Sequence, residues 1–220
     1  MKALKTKDNI LNYIMNNYDK QTPIFVKDIY QEFPNISKGT IRSIFKRFTE
    51  SGQLEKLDKG VYGLPNKSSI FGKTTVYVSD VIQKKYIFND SGIRIGYESG
   101  INFANQLGLT SQIAVVSTIY SNQVSNKKRE IKIKNNRVIV NAPRVMVNNK
   151  NYKLLQVLDL LNNFEKYSEY DLKKSSTQIL SFLSTIDLKE QEVEEILSAY
   201  PLEAQVKFYK IGGLNAITQS

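Results

Sequence analysis

The first 64 residues alternate between apolar stripes of helical spacing and short polar breaks. Ile10, Leu11, Ile14, Met15 and Tyr18 recur at i, i+4 and predict a helix over residues 7–18. Residues 19–23 break it, and Ile24 with Phe25 predicts a very short strand. Val26, Ile29, Tyr30 and Phe33 form the stripe of a second helix. Pro34 ends that helix, because proline disfavours helical backbone in the residue before it. Ser37 is placed to cap a third helix, since its hydroxyl can accept from a free backbone N–H. That helix buries Ile41, Ile44, Phe45 and Phe48, and Gly52 stands where a left-handed cap belongs. The run SGQLEKLDKGVYGLP, residues 51–65, then reads as two short strands around an Asp58-Lys59-Gly60 turn. Three short helices followed by a hairpin is the order of a winged helix-turn-helix.

The Ser, Gly, Asn and Lys content of PNKSSIFGKTT, residues 65–75, predicts a linker between a first domain, 1–64, and a second, 76–220. The second domain opens with Val76-Tyr77-Val78 and a short helix near 79–86. Glycines at 92, 96 and 100 punctuate a strand–turn segment, and a helix over 100–107 closes on Gly108. Residues 113–120 are rich in β-branched side chains and predict a strand. Residues 130–134 and 137–141 alternate as a hairpin should, around an Asn135-Asn136 turn. Helical stripes follow at 154–164, 175–186, 188–200 and 202–209. The fold class expected is α+β: a winged helix-turn-helix, then a mixed α+β domain with a helical C-terminal tail.

Composition narrows the chemistry. The chain has 220 residues, 41% of them hydrophobic, enough for one large or two small cores. No apolar run is long enough to span a bilayer, and MKALKTKDN lacks the apolar segment of a secretory leader, which together predict a cytoplasmic protein without membrane contact. With no cysteine there are no disulfides, zinc ribbons or thiol chemistry, and with no histidine no imidazole base or metal ligand. An enzyme here would have to run on carboxylates, lysines or tyrosines.

The formal charge of +10 is unevenly spread. Residues 1–64 carry 11 basic and 7 acidic side chains and residues 65–150 carry 13 and 4, whereas residues 151–220 carry 7 and 10. A basic front suggests a polyanionic partner, most often nucleic acid. On a helical wheel the third helix packs through its apolar set and turns Gly39, Arg42, Ser43, Lys46 and Arg47 the other way. A helix in the major groove needs this division, because arginine can donate twice to the O6/N7 edge of guanine and lysine reaches guanine or phosphate. The DNA-binding candidates are thus Lys38, Thr40, Arg42, Ser43, Lys46 and Arg47, with Lys56 and Lys59 on the hairpin. The competing reading is an amphipathic helix with a solvated basic face. A second basic patch comprises Lys127, Lys128, Arg129, Lys132 and Lys134, which could extend a phosphate track or form a solvated hairpin.

Three further signals point elsewhere. The glycines at 92, 96 and 100 match neither the dinucleotide fingerprint nor the P-loop, so they read as turn residues. Glu190, Glu192, Glu194 and Glu195 could suggest metal ligation, but Asp187 with Glu190 resembles a capping box, and a solvated helix face accounts for them better. Glu130-Ile131-Lys132 is the E-x-K fragment of metal-dependent nucleases and would need Asp80 or Asp90 and a magnesium ion. The alternation of a half-buried strand produces the same pattern without a site. No catalytic residue and no metal site is therefore assigned.

The hairpin SGQLEKLDKGVYGLP and the later run GYESGINFANQLGLTSQIAVVSTIYSN carry a resemblance to the AbiEi antitoxins of abortive-infection type IV toxin–antitoxin systems. The matching elements are Gly60-Val61-Tyr62 at the end of the wing, Leu107-Gly108-Leu109 closing a helix, and the strand after it. The resemblance implies a non-enzymatic, cofactor-free repressor that binds duplex DNA at its own promoter, at inverted repeats. It implies a second domain that counters a nucleotidyltransferase-like toxin, which need not be bound directly. The alternative is a stand-alone winged-helix regulator whose second domain senses a ligand or partner, and a DNA-targeted nuclease stands behind both.

Overall fold

The computed structural model describes residues 2–66, 75–125 and 128–218, without the side chains of residues 2–5. Of the expected linker, residues 67–74 lie outside the described residues. The described chain is α+β with two small sheets, and it divides into two compact units, Met1–Ile82 and Gln83–Ser220.

In the first unit, helix α1 runs Lys2–Asn17, longer at its start than the apolar stripe alone predicts. The Asp19 carboxylate ends the turn after it by accepting the backbone N–H groups of Gln21 and Thr22 at 2.8 and 2.7 Å. Strand β1 (Ile24–Phe25) leads into α2 (Val26–Glu32) and α3 (Lys38–Glu50), followed by β2 (Glu55–Asp58) and β3 (Val61–Gly63). The strands form an antiparallel sheet of order β1-β3-β2. Ser37 caps α3 as its position predicts, its hydroxyl accepting the Thr40 N–H at 3.1 Å. Gly52 and Gly60 take φ of 68° and 74°, a backbone region that costs a residue with Cβ about 1–2 kcal/mol. The core joins Ile10 and Ile14 of α1, Ile24, Ile29, and Ile41, Phe45 and Phe48 of α3. Burying such side chains at roughly 1.5–3 kcal/mol each, rather than helix propensity, holds these short helices. Helix α4 (Val78–Ile82) closes the unit.

The second unit opens with a π-helical turn, Gln83–Ile87, then β4 (Gly96–Ser99), α5 (Ile101–Gln106), β5 (Val116–Ser121), β6 (Lys128–Ile133) and β7 (Asn136–Asn141). The sheet order is β4-β5-β7-β6, with β5 and β7 parallel and the other pairs antiparallel. Two expectations shift. The strand predicted over 113–120 begins only at Val116, leaving Ile113 and Val115 each 89% exposed. The hairpin turns at Lys134-Asn135, one residue early, because Asn136 already pairs with Ile133 and Lys134 takes the left-handed φ of 54°.

The tail comprises α6 (Tyr152–Leu161), α7 (Phe164–Tyr167), α8 (Leu172–Leu183), α9 (Glu190–Ser198), α10 (Leu202–Lys210) and α11 (Gly213–Thr218); the sequence pattern predicts neither α7 as a separate helix nor α11. Helix α6 is buried throughout residues 154–161, and its core extends to Tyr97 of β4 and Phe208 of α10. Gln156 on α6 donates to the Glu98 carbonyl at 2.8 Å, which locks the helix to β4. Asp159 is buried on the same helix, and removal from water pushes its carboxyl up to about 7.

Candidate nucleic-acid interface

The third helix divides as its wheel predicts. Ile41, Ile44, Phe45 and Phe48 are buried, while Lys38, Thr40, Arg42, Ser43, Lys46 and Arg47 are exposed. These six side chains differ in how they are held. Thr40 Oγ1 lies 2.9 Å from Ser37 Oγ, and Ser43 donates back to the Gly39 carbonyl at 3.1 Å, so both hydroxyls are tied to the helix itself. Lys46 stands 3.8 Å from Glu50 one turn on, a solvent-exposed pair of small energetic weight that leaves the ammonium free to change partners. Arg47 lines a shallow concavity of about 420 Å³ with Thr6, Asn35, Ser37 and Thr40.

Arg42 is the exception. Its Nε donates to the Tyr30 hydroxyl at 2.9 Å, and its guanidinium carbon stands 6.0 Å from the centre of the Tyr30 ring. The Lys38 ammonium lies 5.7 Å from the same ring centre. Two cations of the exposed face are thus gathered at one aromatic residue of α2. Sequence reasoning places Tyr30 only on the packing stripe of α2. The available signal is that tyrosine, alone in that stripe, carries a polar tip that seeks a partner when its ring is half-buried.

The hairpin packs directly on this helix, the Phe45 and Tyr62 rings meeting at 4.9 Å between centres. Lys56 on β2 and Lys59 in the turn are both exposed. The Asp58 carboxylate accepts the Lys59 N–H at 2.7 Å, and the Gly60 carbonyl accepts the Val26 N–H at 3.0 Å. The second bond pins the turn to the first residue of α2, so the two lysines are displayed by a short, anchored hairpin.

In the second unit, Lys128, Arg129 and Lys132 are exposed on β6, an edge strand, while Lys134 is half-buried in the turn and Lys127 lies outside the described residues. The register sets Lys128, Glu130, Lys132 and Arg137 on one sheet face and Arg129 on the other. Arg137 Nε donates to the Glu130 carboxylate at 2.8 Å and holds that carboxyl below its usual range. The glutamate of the E-x-K fragment is therefore bonded to an arginine. Asp80 accepts from Ser79 at 3.3 Å, and among the described residues no three carboxylates gather as metal ligands. In α9, Glu192 accepts the Lys189 N–H at 2.9 Å, so the cap lies two residues beyond the expected Asp187–Glu190 pair. Pro201 then separates α9 from α10, where Tyr209 donates to the Glu194 carboxylate at 2.7 Å.

Among the described residues no helix is long and apolar enough to cross a membrane. Comparison of the chain with protein-family models and with curated proteins finds no match.

Proposed function

We propose that the first unit is a winged helix-turn-helix that binds duplex DNA, with α3 in the major groove and the β2–β3 hairpin as its wing. The observation that carries this reading is the exposed row of Arg42, Lys46 and Arg47 on a helix whose opposite face is core, beside a hairpin that offers Lys56 and Lys59. Long donors in front and apolar packing behind is what a groove-reading helix requires. With the resemblance of the hairpin and of the later Leu107-Gly108-Leu109 run, the reading extends to an AbiEi-type antitoxin. Such a protein represses its own promoter and counters a nucleotidyltransferase-like toxin, in the cytoplasm and without a cofactor or catalytic residue.

The experiment is a binding titration of the full chain against a duplex carrying its own upstream region, with an unrelated duplex of equal length as competitor. A preference of at least about 10³-fold for the upstream region is expected of a specific reader. Equal affinity for both duplexes overturns the reading. Growth of cells that express the neighbouring toxin gene, with and without this chain, tests the antitoxin half separately.

A further inference from the structure

We infer that Tyr30 is a positioning residue for DNA readout, holding Arg42 so that it meets a guanine end-on through its two terminal nitrogens. The inference rests on the DNA-binding reading of α3 and names how one residue of that face reads a base. A guanidinium offers two bidentate edges, Nη1 with Nη2 or Nε with one Nη. Here the Nε–H is spent on the Tyr30 hydroxyl at 2.9 Å, which removes the second edge. The terminal pair remains, a fork that matches guanine O6 and N7.

The arrangement also limits the entropy lost on binding. A free arginine loses rotamer freedom when it is fixed. Tyr30 bridges twelve residues of sequence, from α2 to α3, and carries part of that restriction before DNA arrives. Its hydroxyl accepts from Arg42, so its own hydrogen is still available to donate. The Lys38 ammonium, 5.7 Å from the ring centre on the other cationic contact, is a compact charge with no planar fork and can serve a phosphate without competing for the base.

The test compares wild type, Tyr30→Phe, Arg42→Ala and Arg42→Lys, each as the full chain, on the upstream duplex with every base pair replaced in turn. Tyr30→Phe keeps the half-buried ring and removes only the hydroxyl, so its melting temperature should equal that of wild type. Arg42→Ala should lose about 5- to 150-fold of discrimination at one guanine. Tyr30→Phe should lose about 2- to 10-fold at that same base pair and nowhere else, with an unchanged salt slope, because no phosphate cation is removed. Arg42→Lys, which keeps the charge but lacks the fork, should flatten the same position and leave the surroundings of Tyr30 intact. The Tyr30→Phe/Arg42→Ala double variant should discriminate no less than Arg42→Ala alone.

Tyr30→Phe discriminating as wild type, losses that add in full, or an equal weakening at every position would each overturn the inference. The last of these is the mark of a merely structural tyrosine. A wild-type chain with no base preference anywhere overturns the DNA-binding reading and this inference with it, a result separable from the others because it does not depend on any variant.

Discussion

The phenolic hydroxyl of Tyr97 on β4 donates to the Asp159 carboxylate on α6 across 2.5 Å, with both side chains buried. Burial is the main cause that lifts Asp159 to about 7, and the Tyr97 bond and Arg144 pull the other way. A carboxyl raised in the folded state binds its proton more tightly there than in the unfolded chain. Its stabilising effect is complete below the ordinary carboxylate range and is lost as pH rises through about 7. Relative to Asp159→Asn, wild type should therefore lose melting temperature between about pH 4 and pH 7. Asp159→Asn keeps an acceptor for Tyr97 without the charge, and should flatten that profile. Identical pH–melting curves for the two proteins would contradict this.

Gly96 marks a second contact that the fold cannot relax. A Cβ there would stand 2.2 Å from the Tyr86 carbonyl and 2.5 Å from the Tyr120 carbonyl, both backbone atoms. Gly96→Ala should destabilise the second unit by about 3 kcal/mol, the upper range for overpacking, measurable by urea unfolding. Gly108→Ala meets open space and is strained only by its φ of 72°, so it should cost less.

On the proposed DNA-binding reading, salt titration should separate the roles of α3 and the β2–β3 hairpin. Arg42→Ala should weaken binding to the cognate duplex by about 1–3 kcal/mol and relax one position. Lys59→Ala should weaken all duplexes alike and reduce the salt slope by about one ion. Identical specificity profiles for the two variants would remove the distinction between reading helix and wing.

The β6 edge provides a separate test. Reversing Lys128, Arg129 and Lys132 to glutamate should lower non-specific duplex affinity and shallow its salt dependence, with circular dichroism unchanged because all three side chains are exposed. Unchanged binding across the titration would assign these basic residues to the ordinary protection of a sheet edge.

If the proposed antitoxin reading holds, repression and toxin neutralisation should come apart in the full chain. Arg42→Ala with Lys46→Ala should abolish repression of a promoter reporter yet still rescue cells that express the neighbouring toxin gene. Loss of rescue in this double variant would argue that neutralisation acts through promoter binding.

Which residues point inward was decided locally. The 3.6-residue stripe of α3, the Ser37 cap and Gly52 are each written in a few neighbouring positions, because a helix needs only its own periodicity and ends. The exposed cationic face follows from the same stripe by subtraction, so Arg42, Lys46 and Arg47 were legible as candidates. The partners of those cations were not. Tyr30 and Arg42 meet across twelve residues and two helices, and Tyr97 and Asp159 across sixty-two. No local pattern encodes a bond between side chains whose distance depends on how two elements pack. The hairpin turn likewise moved by one residue because the pairing of Ile133 with Asn136 set the register, with Lys134 left in the turn at a φ of 54°. Asp159 shows the division most plainly: its place within the helix expected over residues 154–164 is sequence, but its raised affinity for a proton exists only once β4 and the helical tail have closed water out around it.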